Sequence, residues 1–173
     1  MIFNHIIINF NVKNLYLFMA VTTKIQVKDY LKEYIIGKFN NCVDGPVRFP
    51  DALDLYHVIW DLLEKRSVNA IDTGNLEIIL PKRDCGKAPE VYNYLGVRSQ
   101  KVIERKINTM MWAELHTLLD ENKHEHGINY ILSVHYFMRM YGIDSISEDA
   151  FLKNFYRWRD KIRRKNKKRA YSR

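Results

Sequence analysis

Two cysteines in 173 residues, Cys42 and Cys85, are too few to staple a chain of this size, and no motif spacing links them to a metal. A disulfide scaffold is excluded, and reduced thiols in a cytoplasmic protein are expected. Glycine (7) and proline (4) are scarce as well, which excludes a low-complexity chain. There is no glycine-rich phosphate loop, no nucleophile elbow and no paired-histidine zinc helix, so no catalytic signature presents itself. Long apolar runs are missing too. The greasy N-terminus, MIFNHIIINFNVKNLYLFMAV, is interrupted by Asn4, His5, Asn9, Asn11, Lys13 and Asn14, well short of the roughly 20 apolar residues of a spanning helix. It also lacks the positive leader and unbroken apolar core of a secretory signal. No internal repeat is present.

What remains is a chain that is 47% hydrophobic and 13% aromatic, too apolar to stay unfolded and long enough to bury a real core in one domain. Met19 opens MAVTTKIQVKDYL, which reads as the start of a domain. Residues 1–18 are expected to be an upstream extension of low structural role, or a hairpin, because HIIINF and LYLFMAV are β-prone and flank the polar NVKN. Residues 19–173 are expected to form a single helical domain whose residues 157–173 are a basic tail.

Helical spacing dominates that domain. From Gln26 to Phe39, Val27, Leu31, Tyr34, Ile35 and Phe39 share one side. Asp51 is placed to cap a second helix, ALDLYHVIWDLLEKR, with Leu55, Val58, Ile59, Leu62 and Leu63 inward. VRF before Pro50 and LEIIL, Leu76 to Leu80, read as short strands. Pro89 is placed to open a short helix, EVYNYL, and a long helix runs from about Ser99 to Asp120 with a broad apolar face including Ile103, Ile107, Met111, Leu115 and Leu119. INYILSVHYFMRMY is a further helix ended by Gly142, and Ser145 with Glu148 has capping-box spacing, so a last helix begins near Ser147. The fold class is mainly α: about five helices packed as an orthogonal helical domain, with a minor short β-strand pair and a basic C-terminal helix.

Charge is distributed unevenly. The formal net charge is +8, yet Arg157 to Arg173 holds ten Lys/Arg against one acid, Asp160, for a net +9, while the other 156 residues sum to −1. Such asymmetry points to a polyanionic partner. On a helix, Phe151, Phe155, Trp158 and Ile162 form one stripe and Arg157, Lys161, Arg164 and Lys168 another, so the segment can dock through aromatics while showing cations outward. Helix C-termini do favour cations through the macrodipole, by about 0.3–1 kcal/mol each, but ten exceed what the last turn can use. Arg157, Arg159, Lys161, Arg163, Arg164, Lys165, Lys167, Lys168 and Arg169 are therefore candidate phosphate contacts.

A second candidate lies upstream. EVYNYLGVRSQKVIERKI, Glu90 to Ile107, resembles a helix-turn-helix with Leu95, Gly96 and Val97 at the turn, although Tyr92 and Arg105 depart from the usual small and apolar positions. On that reading Arg98, Gln100, Lys101 and Arg105 approach base edges or phosphates; the competing reading is an ordinary helix corner. In the other helix pair, ILSVHYFMRMYG with SEDAFLKNFYRWR, Glu148 and Asp149 at the start of the second helix would repel phosphate, so contact is expected from its distal basic half. The cadence YNYLG, then FM, YGI, SED and FYRWR, over roughly Lys24 to Lys165, resembles small proteins carried by bacterial prophages and integrative elements. The resemblance implies an accessory role in a mobile element and supplies no catalytic residues.

Other chemistry is weak. Pro50-Asp51 with Glu77 suggests a restriction-type nuclease, but Glu77 is followed by Ile78 and Ile79 where that chemistry needs a lysine two residues on. His116, His124, His126 and Asp120 have no standard metal-ligand spacing, His57 and His135 read as partly buried structural residues, and Trp60, Trp112 and Trp158 as packing. The sequence thus leads to a non-enzymatic nucleic-acid-binding protein, DNA favoured, with no cofactor, no metal, no membrane and no small-molecule substrate. The rival is an interaction module or homo-oligomer whose apolar helical face meets a partner or a second copy while the tail is only a solvated end.

Overall fold

In the computed structural model residues 20–39 and 45–171 are described, with side chains as far as 167. The hairpin expected within residues 1–18 and Cys42 lie outside that range. The described chain contains two strands and five helices in the order β1 (Thr22–Ile25), α1 (Asp29–Phe39), α2 (Asp54–Leu62), β2 (Leu76–Ile79), α3 (Val97–His124), α4 (Tyr130–Tyr141) and α5 (Glu148–Tyr171). It is mainly α with a minor β pair. The described residues cluster into two compact units, one of residues 20–27 and 45–104, the other of 28–39 and 105–171.

In the first unit the β-branched run Leu76–Ile79 forms the expected strand, but its partner is Thr22–Ile25, antiparallel with Thr22 opposite Ile79 and Ile25 opposite Leu76. Val47 adds only a single parallel bridge to Ile78, so VRF is not a full strand. Beyond Ile25 the backbone amides are satisfied by side chains: Gln26 N–H donates to Gln100 Oε1 at 2.9 Å and Val27 N–H to Asn75 Oδ1 at 3.1 Å. Gly74 is required here, because a Cβ on it would lie 2.4 Å from the Ile25 carbonyl group. Ile25, Val47, Ile78, Ile59, Leu63 and Leu95 fill the core of this unit.

Two helix boundaries in it differ from the sequence reading. Asp51 sits in a turn and α2 starts at Asp54 after Leu53, so Asp51 does not cap it. At the other end Lys87 Nζ donates to the carbonyls of Trp60, Asp61 and Leu63, at 3.3, 2.5 and 2.8 Å, satisfying the orphan acceptors of the last turn. EVYNYL is not a helix. Only one turn forms, with Val91 N–H and Tyr92 N–H on Ala88 O, after which Tyr94 pairs antiparallel with Glu64 through reciprocal bonds of 3.0 and 3.2 Å.

The second unit is built from α1, α4, α5 and the part of α3 from Arg105 onward. Leu31, Tyr34 and Ile35 of α1, Ile107, Met111, Leu115 and Leu119 of α3, Val134 and Phe137 of α4, and Phe151 and Phe155 of α5 are buried. Three helices meet at Glu114 of α3, which accepts from Tyr34 Oη at 2.5 Å and from Tyr141 Oη and Lys38 Nζ. Burial alone would raise the Glu114 carboxyl, but the bonds from Lys38, Tyr141 and Tyr34 outweigh it and hold it below its usual range. The same burial and the facing carboxylate push both phenols up. Gly37 permits α1 to approach α4 closely, since a Cβ there would lie 2.3 Å from Tyr141 O.

Gly142 ends α4 in the left-handed conformation, φ 63°, with its own N–H and that of Ile143 on Met138 O. Ser145 does not form the expected capping box. Its N–H and Oγ donate to Glu33 Oε2 at 3.1 and 2.9 Å, alongside Asp144 N–H at 2.9 Å, which ties the α4–α5 turn to α1. Ser147 caps α5 instead, accepting from Ala150 N–H at 3.4 Å.

Candidate nucleic-acid interface

The first three turns of α5 are an anchor. Glu148 and Asp149 complement the positive end of the helix dipole. Phe151 and Phe155 are fully buried, and Trp158 lies on the His116 ring at 4.5 Å between centroids. Trp112 reaches Phe151 at 5.4 Å and Tyr130 reaches Phe155 at 4.9 Å, so α3 and α4 both contribute rings to the seam. His116 Nε2 sits 3.0 Å from Asn154 Oδ1. An amide oxygen only accepts, so the imidazole carries its proton on Nε2. Burial holds its pKa below the ordinary histidine value, with the Asn154 bond and the Asp120 charge opposing that shift without overcoming it.

Arg159 belongs to the anchor too, which corrects its assignment as a phosphate contact. Its guanidinium donates to Tyr130 Oη at 2.8 Å and lies 5.5 and 5.6 Å from the centroids of the Tyr130 and Phe155 rings. A cation placed between two rings and a hydroxyl is held by the fold.

Beyond Arg159 the helix continues without support from the rest of the unit. Residues 160–167 are all exposed, Ile162 included, so the apolar stripe expected to run to Ile162 ends in practice at Trp158. Among the described residues no carboxylate is matched to Arg157, Lys161, Arg163, Arg164, Lys165 or Lys167. From Arg157 to Tyr171 the rod is roughly 21 Å long at about 1.5 Å per residue. Lys168 and Arg169 continue it, their side chains lying outside the described set. Arg157, Lys161 and Arg164 fall on one face and Arg163 and Lys167 on the next, so cations point to more than one side.

The upstream candidates lie on α3. Arg98 is exposed on the first turn of α3. Gln100 is occupied at both ends, accepting from Gln26 N–H and donating through Nε2 to Leu95 O at 2.9 Å, so it is a structural clamp rather than a base-reading side chain. Lys101 and Arg105 each have an interaction partner already. With no helix before the turn, the Glu90 to Ile107 segment is not a helix-turn-helix. α4 and α5 do form a helix corner in contact with each other.

The histidine readings also change. His57 and His135 are exposed, His57 Nδ1 accepting from Arg83 at 2.5 Å and His135 lying 3.2 Å from Glu148. His116 is the buried one. Among the described residues no group of three or more His, Cys, Asp or Glu is arranged to hold a metal, and no helix is long and apolar enough to cross a membrane. Cys85 is a free, exposed thiol. A 240 Å³ depression between α4 and α5 is lined by His135, Met138, Arg139, Ile143, Asp144 and Glu148. Compared with known proteins, the chain matches no family model, no curated protein and no solved structure.

Proposed function

We propose that the protein binds nucleic acid, DNA in the first instance, through the phosphate backbone, using the distal half of α5. The observation that carries this reading is the run of cations after Arg159, helical, exposed and unmatched by carboxylates among the described residues. Like charges at this density repel one another, and a polyanion relieves that repulsion while its own counterions are released. Lys161, Arg163, Arg164, Lys165 and Lys167 are the contacts, extended by Lys168 and Arg169 and assisted by Arg157 at the inner end. Contacts of this type position a protein on a duplex without specifying sequence. The role is non-enzymatic and accessory or regulatory, in line with the resemblance to proteins of bacterial mobile elements.

Removal of residues 160–173 tests it. The anchor of Phe151, Phe155, Trp158 and Arg159 stays intact, so the shortened chain folds while its affinity for a mixed-sequence duplex, read by fluorescence anisotropy at fixed salt, falls by more than about tenfold. Undiminished affinity overturns the reading.

A further inference from the structure

α4 buries Ser133, Val134 and Phe137, and an apolar stripe flanks Arg139 and His135 on its exposed side. Leu132, Tyr136 and Met140, at i, i+4 and i+8, are 60, 57 and 43% exposed; Ile131 at 53% and Ile128 at 37% adjoin them. Of the six outer side chains of α4 only His135 and Arg139 are polar. Single exposed apolar residues are ordinary, but three in a row along one stripe of a helix whose other face is already buried are not. The five side chains present apolar area on the order of 500 Å². A stable interface takes about 800 Å² from each partner, of which roughly two thirds is apolar in homodimers, so this patch is the size of one dimer core.

We infer that this face pairs with a second copy of the chain, α4 against α4 about a two-fold axis close to Tyr136. Such an interface is isologous and must be complementary to itself. The stripe meets that condition: one turn before Tyr136 stands Leu132 and one turn after it Met140, side chains of similar volume that exchange readily in packed cores. In the antiparallel arrangement Leu132 faces Met140 of the other copy, and the two Tyr136 rings meet at the centre. Rows of side chains four apart on both helices interlock at a crossing of roughly −50°. The stripe itself carries no charge, and the acids nearest it, Asp144 and Glu148, lie with Arg139 and His135 at its edge, so its centre offers a charged partner of either sign nothing to pair with. The inference is independent of the nucleic-acid reading, because none of these residues belongs to the basic rod.

Sedimentation equilibrium of the full chain decides it, with Tyr136→Glu and Met140→Lys as variants at exposed positions. The expected result is a monomer–dimer equilibrium that each variant weakens by more than about 100-fold while the circular dichroism spectrum and melting temperature stay those of the parent. A chain that is monomeric at every concentration, one that forms an open-ended series of larger species, or a dimer that Tyr136→Glu leaves intact overturns the inference.

Discussion

The two halves of α5 have one backbone conformation and opposite surroundings. Up to Arg159 every turn is fixed from outside: Phe151 by Trp112 and Phe137, Asn154 by His116, Phe155 by Tyr130, Trp158 by His116, Arg159 by Tyr130. From Asp160 to Lys167 the side chains meet solvent. The contrast teaches that charge count alone misleads. Arg159 and Arg164 are the same residue type five positions apart, yet one is part of the core's edge and the other is available to a partner. Stability resides in the inner half; if the outer half binds phosphate as proposed, the two are separable by mutation.

The largest effect that sharpens this separation comes from the aromatic stripe. Phe155→Ala should cost about 3–5 kcal/mol in urea denaturation, because it opens a cavity amid rings. Ile162→Ala, on the same stripe but past the end of the packing, should stay within about 1 kcal/mol. Equal losses at both positions would mean that the outer half is packed after all. Next in size, Arg159→Ala should cost about 1–2 kcal/mol through the lost ring and hydroxyl contacts while leaving the salt dependence of DNA binding unchanged. Arg164→Ala should do the reverse, with stability within about 0.5 kcal/mol of the parent and a salt slope smaller by about 1.

The smallest effect is a pH signature confined to the inner half. His116 has a folded pKa below its unfolded value, so between the two the unfolded chain binds the extra proton. Stability is therefore fully present above the ordinary histidine value of 6.5 and declines as pH falls through the folded pKa. Denaturation midpoints measured on either side of 6.5 should show this decline in the parent and a flatter profile in His116→Gln; a midpoint that rises on acidification would contradict the buried neutral imidazole.

Much of this architecture was legible because helical spacing is local. Leu31, Tyr34 and Ile35, then Ile103, Ile107 and Met111, then Phe151 and Phe155 announce their helices within a few residues, and Gly142 announces a helix end. The failures share a cause in distance. TTKI has a single large apolar residue, and only its pairing with a strand more than 50 residues away makes it β1. EVYNYL has helical spacing, but the backbone of Tyr94 is claimed by Glu64. Gln100 looks like a groove-facing residue until Gln26 and Leu95 occupy it. For the candidate site, the outer cations were readable from charge alone, whereas the capture of Arg159 by Tyr130, 29 residues earlier, was not. The apolar outer face of α4 did have a local signal in Leu132, Tyr136 and Met140, hidden because α4 carries apolar side chains on both faces.

The salt dependence of duplex binding tests the outer half of α5 most directly. Plotted as log affinity against log salt for the full chain, it should fall with a slope of about −0.9 for each phosphate neutralised, hence steeper than roughly −4 if Lys161, Arg163, Arg164, Lys165 and Lys167 all engage. Replacing those five with glutamine should flatten the line while the melting temperature holds. Binding that ignores salt, or that survives the five replacements with its slope intact, would contradict the assignment of the outer half of α5 as the contact surface.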